Sequence, residues 1–214
     1  MSMASALWII GAGGHAKVVI ESARASGLEV AGLIDERTNM HGTSLLGCLV
    51  LGGVRSIPVG APCVIAVGDS RARERVAAEL DGRVTWTRVI HPRAEIARDV
   101  DIGQGTVVFA MAVVQPGSVI GRHAIINTAT VVEHDDSVGD FAQLATAAKL
   151  TGRVAVGTGA FIGAGAVVLP GVRVGAWSVP APSLPMMCKR GRRLPVCLPG
   201  SFVMPHPDVM VSPV

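Results

Sequence analysis

An aliphatic residue recurs at every sixth position through most of the second half of the chain. Fourteen consecutive hexamers fill residues 96–179 without an insertion, and each begins with Ile, Val or Leu. These leading residues are Ile96, Ile102, Val108, Val114, Ile120, Ile126, Val132, Val138, Leu144, Leu150, Val156, Ile162, Val168 and Val174. Small or polar residues, often Gly, tend to follow them. A period of six fits neither the 3.6-residue turn of an α-helix nor the alternation of a simple strand, and it is typical of a hexapeptide β-helix.

In such a solenoid each hexamer forms one short flat strand and a corner. Three hexamers, or 18 residues, complete a triangular coil whose aliphatic residues stack inside, so fourteen hexamers make between four and five coils. The fifth position of the hexamers is often Ala, Val, Thr or Ser. We therefore expect a parallel β-helix domain over residues 91–179.

The first 90 residues have a different pattern of apolar and polar positions. Short apolar strands are predicted over 7–10, 30–34, 63–67 and 85–90, and helices over 15–25 and 71–80. Asp69 or Ser70 is placed to cap the second helix. This alternation predicts an α/β N-terminal domain with a small parallel sheet, Rossmann-like, over residues 1–90. His91-Pro92 marks the boundary with the β-helix.

Composition and charge narrow the range of partners. Half of the residues are hydrophobic but only 3% are aromatic, so the interior must be packed with Val, Ile, Leu and Ala. The net charge of +3 is confined to residues 180–214, since the preceding part contains 15 basic and 15 acidic residues. No basic face, and hence no nucleic-acid partner, is predicted.

The N-terminal apolar run and the cysteines add two further expectations. The run ends at Gly11, too early for a signal peptide or a membrane-spanning segment, which favours a cytoplasmic protein without a membrane partner. Cys48, Cys63, Cys188 and Cys197 form no close pair, so neither a zinc site nor a disulfide framework is expected, and no metal is predicted.

A glycine-rich turn follows the first predicted strand. Glycines allow backbone N–H groups to approach a pyrophosphate, and the N-terminus of the next helix favours an anion. The candidate binding residues of this turn are Gly11, Gly13, Gly14, His15 and Lys17. Asp35, at the end of the second strand, could accept a hydrogen bond from a ribose or a base. The spacing departs from a full dinucleotide motif, and a tight turn that binds no ligand is the alternative.

A second candidate cluster lies in the hexamer that begins at Val132. His134 occupies the third position, which is a corner where a neighbouring chain could approach, and Asp135 beside it could fix the imidazole tautomer and raise its basicity. Gly152 follows 18 residues later and should stack one coil above His134. Its N–H could then face a developing oxyanion. An idle surface histidine is the alternative, which the solenoid context disfavours.

The chain resembles the sugar O-/N-acyltransferases of the sialic-acid O-acetyltransferase type, which include N-acetyltransferases of nucleotide-linked 4-amino-6-deoxysugars. The resemblance covers roughly residues 7–179 and rests on the segment 11–17, His91-Pro92, Asn127-Thr128 and the segment 132–135. It implies left-handed coils and a homotrimer with active sites between adjacent β-helices. The N-terminal domain would hold the sugar nucleotide, and the groove between the helices would hold acetyl-CoA.

The resemblance also implies individual roles. His134 would be the general base and Asp135 its carboxylate partner, while Asn127 would line the acceptor pocket. The acetyl-CoA-binding residues would be Gln143, Gly152 and Ala164. Gln143 stands where the family often has a second histidine; it can donate a hydrogen bond but cannot titrate, so a part in proton relay is in doubt.

Residues 180–214 break the hexamer register. Pro180, Pro182 and Pro185 occupy strand positions, where a missing N–H would interrupt the ladder. Back-translation with permissible codons and a shifted frame can produce two further rungs. This irregular, Pro-rich tail is therefore a possible frameshift product starting near Ser178, and sequencing of the locus would test the idea. If the tail is genuine, weak acetyl-CoA binding is expected.

Three functions remain open at this stage. The first is acetyl-CoA-dependent N-acetylation of a nucleotide-linked amino sugar for glycan or polysaccharide biosynthesis. The second is O-acetylation of a sialic-acid-like sugar, and the third is a catalytically silent trimeric scaffold. The glycine turn favours a nucleotide-bearing acceptor, and His134 argues against a scaffold.

Overall fold

The α/β part of the chain opens the structure, a computed structural model that describes residues 6–179. The predictions for residues 1–5 and for the tail 180–214, including its origin, lie outside the described residues. The elements of this part are β1 (Leu7–Ile10), α1 (Gly14–Ala25), β2 (Val30–Ile34), β3 (Ser44–Leu45), β4 (Cys48–Gly52), β5 (Pro62–Ile65), α2 (Ser70–Glu79) and β6 (Thr85–Trp86), with short 3-10 turns at Thr38–Met40 and Val54–Ser56.

These strands form one sheet in the order β3-β4-β2-β1-β5-β6. All neighbours are parallel except β3 and β4, which pair antiparallel. The predicted small parallel sheet is therefore confirmed for β4, β2, β1, β5 and β6, and the antiparallel edge strand β3 is an addition to it. The β3–β4 hairpin was not predicted because the segment 45–53 is apolar almost throughout, although Cys48–Gly52 alternates between buried and exposed positions in the structure.

The two helices follow from local signals in the sequence. Helix α1 buries Ala16, Val19, Ile20 and Ala23, which recur at three- and four-residue spacing on one face. Helix α2 begins after Asp69, whose carboxylate accepts a hydrogen bond from the N–H of Ala72 at 2.7 Å. The predicted Asp69 cap is thus confirmed, and it fixes the start of the helix.

The second part of the chain is a left-handed parallel β-helix of two-residue strands. Its strands are β7 (Val89–Ile90), β8 (Glu95–Ile96), β9 (Asp101–Ile102), β10 (Val107–Val108), β11 (Val113–Val114), β12 (Val119–Ile120), β13 (Ile125–Ile126), β14 (Val131–Val132), β15 (Ser137–Val138), β16 (Gln143–Leu144), β17 (Lys149–Leu150), β18 (Ala155–Val156), β19 (Phe161–Ile162), β20 (Val167–Val168) and β21 (Arg173–Val174). Pairing partners are 18 residues apart, as for Val108 and Ile126, which confirms the predicted coil and fold class.

The strands stack into three flat sheets with five strands each. Sheet 1 runs β7-β10-β13-β16-β19, sheet 2 runs β8-β11-β14-β17-β20, and sheet 3 runs β9-β12-β15-β18-β21. Within each coil, the first corner joins sheet 1 to sheet 2, the second corner joins sheet 2 to sheet 3, and the third corner returns the chain to sheet 1. From Gly105 to Trp177, the fourth residue of every hexamer adopts a positive φ at its corner.

Two inward positions of each hexamer build the interior of the β-helix. The leading aliphatic residues from Ile102 to Val174 are buried, and the fifth position also points inward. Alanine is the commonest residue at that position, and four polar residues there are at most 1% exposed, namely Thr106, Ser118, Thr130 and Asp136. Thr106 illustrates how a hydroxyl fits there: its Oγ1 donates to Gly121 O at 2.7 Å and accepts from Ala124 N at 3.0 Å.

The junction between the two parts differs from the prediction. The single strand expected over 85–90 is two short strands that belong to different sheets. Thr85 in β6 pairs with Pro62 in the α/β sheet, whereas Val89 in β7 pairs with Val107 in the β-helix. The chain therefore enters its first coil before His91, and Val89 packs in the same apolar cluster as helix α1.

Candidate functional site

A cavity of about 370 Å³ lies at the carboxyl ends of β1, β2 and β5. Its lining residues are Gly11, Ala12, Gly13, Gly14, His15, Asp35, Arg37, Ala66, Val67 and Gly68. Gly11 has a φ of +115°, and a Cβ there would lie 2.7 Å from Ala66 O, so only glycine fits. The carboxyl edge of a parallel sheet is where α/β folds bind ligands. The structure thus brings most of the predicted nucleotide-binding residues together.

Asp35 is held by neighbours on both carboxylate oxygens. Its Oδ2 accepts a hydrogen bond from Ala12 N at 3.0 Å, and Arg37 forms a two-point contact through Nε and Nη2, each at 2.8 Å. Hydrogen bonding from Arg37 lowers the pKa of Asp35 to about 2. Asp35 therefore fixes the glycine turn, and Arg37 adds a cation to the cavity wall that the sequence reasoning did not single out.

His15 lines the cavity, and its surroundings lower the pKa of its imidazole. Its Nε2 is buried and has no hydrogen-bond partner in the described part of the chain, and its ring meets Phe109 of the β-helix edge-on at 5.5 Å. Burial, followed by the nearby Arg73, lowers the pKa of His15 to about 4. The imidazole is therefore neutral near pH 7. Lys17 is exposed on α1 and is not among the residues that line the cavity.

The second corner carries the other candidate cluster. His134 Nδ1 lies 2.8 Å from Asp135 Oδ2, and about half of each side chain is exposed. Asp135 has a φ of 60°, which is the corner conformation of the β-helix. An Nδ1–H that donates to this carboxylate leaves the Nε2 lone pair free toward solvent. The pair thus has the geometry of a general base and its orienting acid.

Gly152 stacks on His134, as its 18-residue spacing predicted. A Cβ on Gly152 would lie 3.1 Å from His134 Nε2, and Gly152 has a φ of +102°. Arg153 N donates to His134 O at 3.1 Å, which joins the two coils at this point. Within residues 6–179 the N–H of Gly152 has no hydrogen-bond acceptor. An unpaired donor therefore lies close to the basic nitrogen of His134.

The remaining predicted site residues lie elsewhere on the β-helix. Asn127 and Ala164 are at the first corner, and Gln143 is on the outer face of sheet 1. Asn127 Oδ1 accepts a hydrogen bond from Thr128 N at 2.8 Å. Sheet 2 separates the first corner from the second in every coil, so one copy of the chain does not bring these residues to His134.

Asp136 is a further acidic residue near His134 that points into the β-helix. It is 1% exposed, and its Oδ1 accepts a hydrogen bond from Val154 N at 2.7 Å. Its Oδ2 is buried without a partner in the described residues. Burial raises the pKa of Asp136 to about 6. Although Asp136 directly follows the His134–Asp135 pair in the sequence, its side chain lies in the interior of the β-helix.

The described residues contain neither a candidate metal site nor a candidate membrane-spanning helix. Over residues 6–179, His, Cys, Asp and Glu do not gather in any group of three that could hold a metal ion. No helix in this range has the length and apolar character needed to cross a bilayer.

Known proteins are similar to this chain in sequence and in fold. Residues 6–80 match the family described as the PglD N-terminal domain. GDP-perosamine N-acetyltransferase from Escherichia coli O157:H7 is 31% identical over 110 residues, which cover 50% of this chain and 49% of that protein. The matched part of the chain thus spans about half the length of this curated relative.

Two solved structures are similar over most of their length. The acetyltransferase domain of PglB from Neisseria gonorrhoeae FA1090 has a TM-score of 0.75 and 34% identity, covering 80% of this chain and 86% of that one. A mutant of perosamine N-acetyltransferase from Caulobacter crescentus, in complex with CoA and GDP-perosamine, has a TM-score of 0.73 and 37% identity, covering 84% and 90%. An α/β domain followed by hexapeptide coils defines this class of protein. The chain belongs to the hexapeptide-repeat sugar acyltransferases.

Proposed function

We propose that the protein transfers an acetyl group from acetyl-CoA to the amino group of a nucleotide-linked amino sugar, as a step of glycan or polysaccharide biosynthesis. The observation that carries the proposal is the His134–Asp135 contact of 2.8 Å beneath the N–H of Gly152, which has no acceptor among residues 6–179. The similar Caulobacter structure contains CoA and GDP-perosamine, and the Neisseria domain was also solved in complex with acetyl coenzyme A. Acetyl-CoA is therefore the proposed co-substrate.

The proposed mechanism uses His134 as a general base. The neutral amine attacks the thioester carbonyl carbon while His134 Nε2 accepts a proton from the nitrogen. Asp135 stabilises the imidazolium that forms, and the N–H of Gly152 donates to the oxyanion. Collapse of this intermediate breaks the C–S bond, and the imidazolium returns its proton to the departing thiolate. An amide and free CoA are the products.

The cavity around Gly11 is the proposed site for the nucleotide. Backbone N–H groups of the glycine turn and the start of α1 suit a diphosphate. Arg37 brings a guanidinium to the cavity wall, with its charge balanced by Asp35, and neutral His15 can exchange hydrogen bonds with a sugar or a phosphate oxygen. These features favour a nucleotide-bearing acceptor over a free sialic-acid-like sugar, which remains the second candidate.

We also infer a homotrimer in which each active site combines two copies. Asn127, Gln143 and Ala164 lie near the first corner, whereas His134 and Gly152 lie on the second. A neighbouring copy can supply the residues that one chain holds apart. Half-exposed Val119 on sheet 3 and Met111 at the first corner give apolar surface for such contacts. A cytoplasmic location is part of the same proposal.

A thiol-release assay tests the proposal. Acetyl-CoA is supplied with UDP-, GDP- and dTDP-linked amino sugars and with free sialic acid, and we expect release with one nucleotide-linked acceptor. His134→Ala should lower the rate by about 100-fold or more, because general-base catalysis contributes on that scale. Arg98→Ala is the matched control, since Arg98 occupies the same hexamer position on the same corner two coils below and is exposed.

The bond in the product distinguishes N-acetylation from O-acetylation, and the comparison with His134→Ala distinguishes an enzyme from a scaffold. Hydroxylamine at alkaline pH cleaves an ester but leaves an amide intact, so it distinguishes O-acetylation from N-acetylation. If none of the acceptors gives more thiol release with the wild-type protein than with His134→Ala, the enzyme proposal is refuted. A catalytically silent scaffold would then be the better explanation.

A further inference from the structure

Arg73 joins the cavity to the β-helix from a fully buried position. It lies on α2, is 1% exposed, and forms no ion pair with a carboxylate in the described part of the chain. A buried guanidinium is costly unless all of its N–H groups are bonded. The burial of Arg73 therefore depends on the hydrogen bonds that its guanidinium makes.

All five guanidinium N–H donors have an acceptor. Nη1 donates to Val67 O at 3.0 Å and to Gly68 O at 2.6 Å, while Nη2 donates to the Ser70 hydroxyl at 3.2 Å. The two other contacts reach the β-helix: Nε donates to His123 O at 3.1 Å, and Nη2 donates to Phe141 O at 2.6 Å. Five donors in a planar fork are unique to arginine, since lysine has only three.

The carbonyl groups that accept hydrogen bonds from Arg73 lie in two different parts of the molecule. Val67 and Gly68 form part of the wall of the cavity around Gly11. His123 and Phe141 occupy the third corner in successive coils, with φ values of 53° and 58°. Phe141 lies one hexamer after His134 along the chain. Arg73 thus connects the cavity wall to the coil that carries the His134–Asp135 pair.

Aromatic contacts hold the same interface. The Trp86 ring meets the His123 ring edge-on at 4.6 Å, and His123 stacks on Phe141 at 5.2 Å. Further along, the Arg71 guanidinium lies 3.4 Å from the centre of the Trp177 ring. Helix α2 and β6 are therefore seated against the third corner, with the Arg73 side chain inside the contact.

We propose that Arg73 is a positioning residue that fixes the acceptor cavity relative to the β-helix, so that a sugar held by its nucleotide reaches a His134 side chain of the proposed trimer in register. The inference rests on the proposed function. A purely structural role would affect all acceptors equally. The proposed positioning role instead affects the gain in kcat/KM that the nucleotide part of the acceptor provides.

The test compares two acceptors in Arg73→Lys. One acceptor is the nucleotide-linked amino sugar with the highest turnover, and the other is the same amino sugar as its 1-phosphate, which lacks the nucleoside. We expect the ratio of their kcat/KM values to fall by about 10-fold or more, because at least two charged hydrogen bonds are lost. Arg75→Lys, on the exposed side of α2, is the matched control and should leave the ratio unchanged.

An equal fall for both acceptors would mean that Arg73 only supports the fold, and it would overturn the inference while the proposed function stood. Absence of turnover in the wild-type protein would instead refute the proposed function.

A second measurement uses the wild-type protein and so does not depend on a folded variant. Hydrogen exchange is followed with GDP, UDP or dTDP added. We expect a nucleotide that protects residues 11–15 to protect residues 122–124 and 140–142 as well, through Arg73. Protection confined to residues 11–15, or no protection there with any nucleotide, would overturn the inference.

Discussion

Asp136 is the ionisable member of a set of polar residues that face the interior of the β-helix. Ser118 lies one coil below it and accepts a hydrogen bond from Asp136 N at 3.2 Å while donating to Glu133 O at 2.7 Å. Asp136 accepts from Val154 N in the same way, but a carboxylate cannot donate onward as a hydroxyl does. Only the protonated acid could use its second oxygen as a donor. Burial has the largest effect on the pKa of Asp136 and raises it; a charge on His134 lowers this pKa, and the charge of Glu133 raises it.

This environment predicts a pH-dependent effect of Asp136→Asn. The folded-state pKa of about 6 lies above the ordinary value of 3.8, so the folded state binds more protons between these values. The favourable contribution is complete below about pH 4 and is lost as the pH rises through 6. Asn stays neutral, and we expect it to raise the Tm at pH 8 by at least about 2 °C relative to wild type.

The same substitution should have little effect on the Tm at pH 4.5. Asp101→Asn, on the exposed face of β9, is the control and should show no such difference between the two pH values. A Tm gain that is equal at both pH values would contradict the assignment of Asp136 as the titrating group.

At the scale of elements, the predictable features were those set by short repeats. The six-residue period predicts every strand of the β-helix from β8 onward, and the 18-residue spacing predicts that Gly152 lies above His134. The β3–β4 hairpin escaped because uniformly apolar residues carry no period. Arg73 escaped for another reason: its acceptors on the β-helix are backbone carbonyls 50 and 68 residues away, which leave no mark in the local sequence.

The turn between β1 and α1 gives a prediction at this scale. In Gly11→Ala the new Cβ would press on Ala66 O at 2.7 Å, and the φ of +115° is unfavourable for alanine, at a cost of about 1–3 kcal/mol. We expect nucleotide affinity, measured by calorimetry, to fall by about 10-fold or more because the turn must move. Gly175→Ala, with open space around its Cβ position and no positive φ, should leave affinity unchanged. Equal affinities for the Gly11 variant and wild type would place the nucleotide elsewhere.

At the scale of the whole molecule, the separation of the two corners predicts that inactive variants can complement each other. His134→Ala and Asn127→Ala affect residues on different corners, which would meet across an interface between copies. In the proposed homotrimer, mixed assemblies formed from equal amounts by co-expression should recover activity at about a quarter of their sites, where both intact residues meet. Thiol release measures the recovery.

Separately expressed variants that are mixed without exchange of subunits are the control for this experiment. Activity in the mixed trimers that does not exceed that of either variant alone would mean that one copy supplies the whole site, or that Asn127 has no part in it.

The stacking of Gly152 on His134 has a consequence for how such a protein can diversify. The height between them is the spacing of neighbouring strands, about 4.8 Å, which main-chain hydrogen bonding imposes on any sequence. Outward side chains on the coils can therefore vary without changing the distance between His134, the proposed proton acceptor, and Gly152, the proposed oxyanion donor. Selection for a new acceptor can act on the cavity of the α/β domain alone, while the reaction geometry is inherited unchanged.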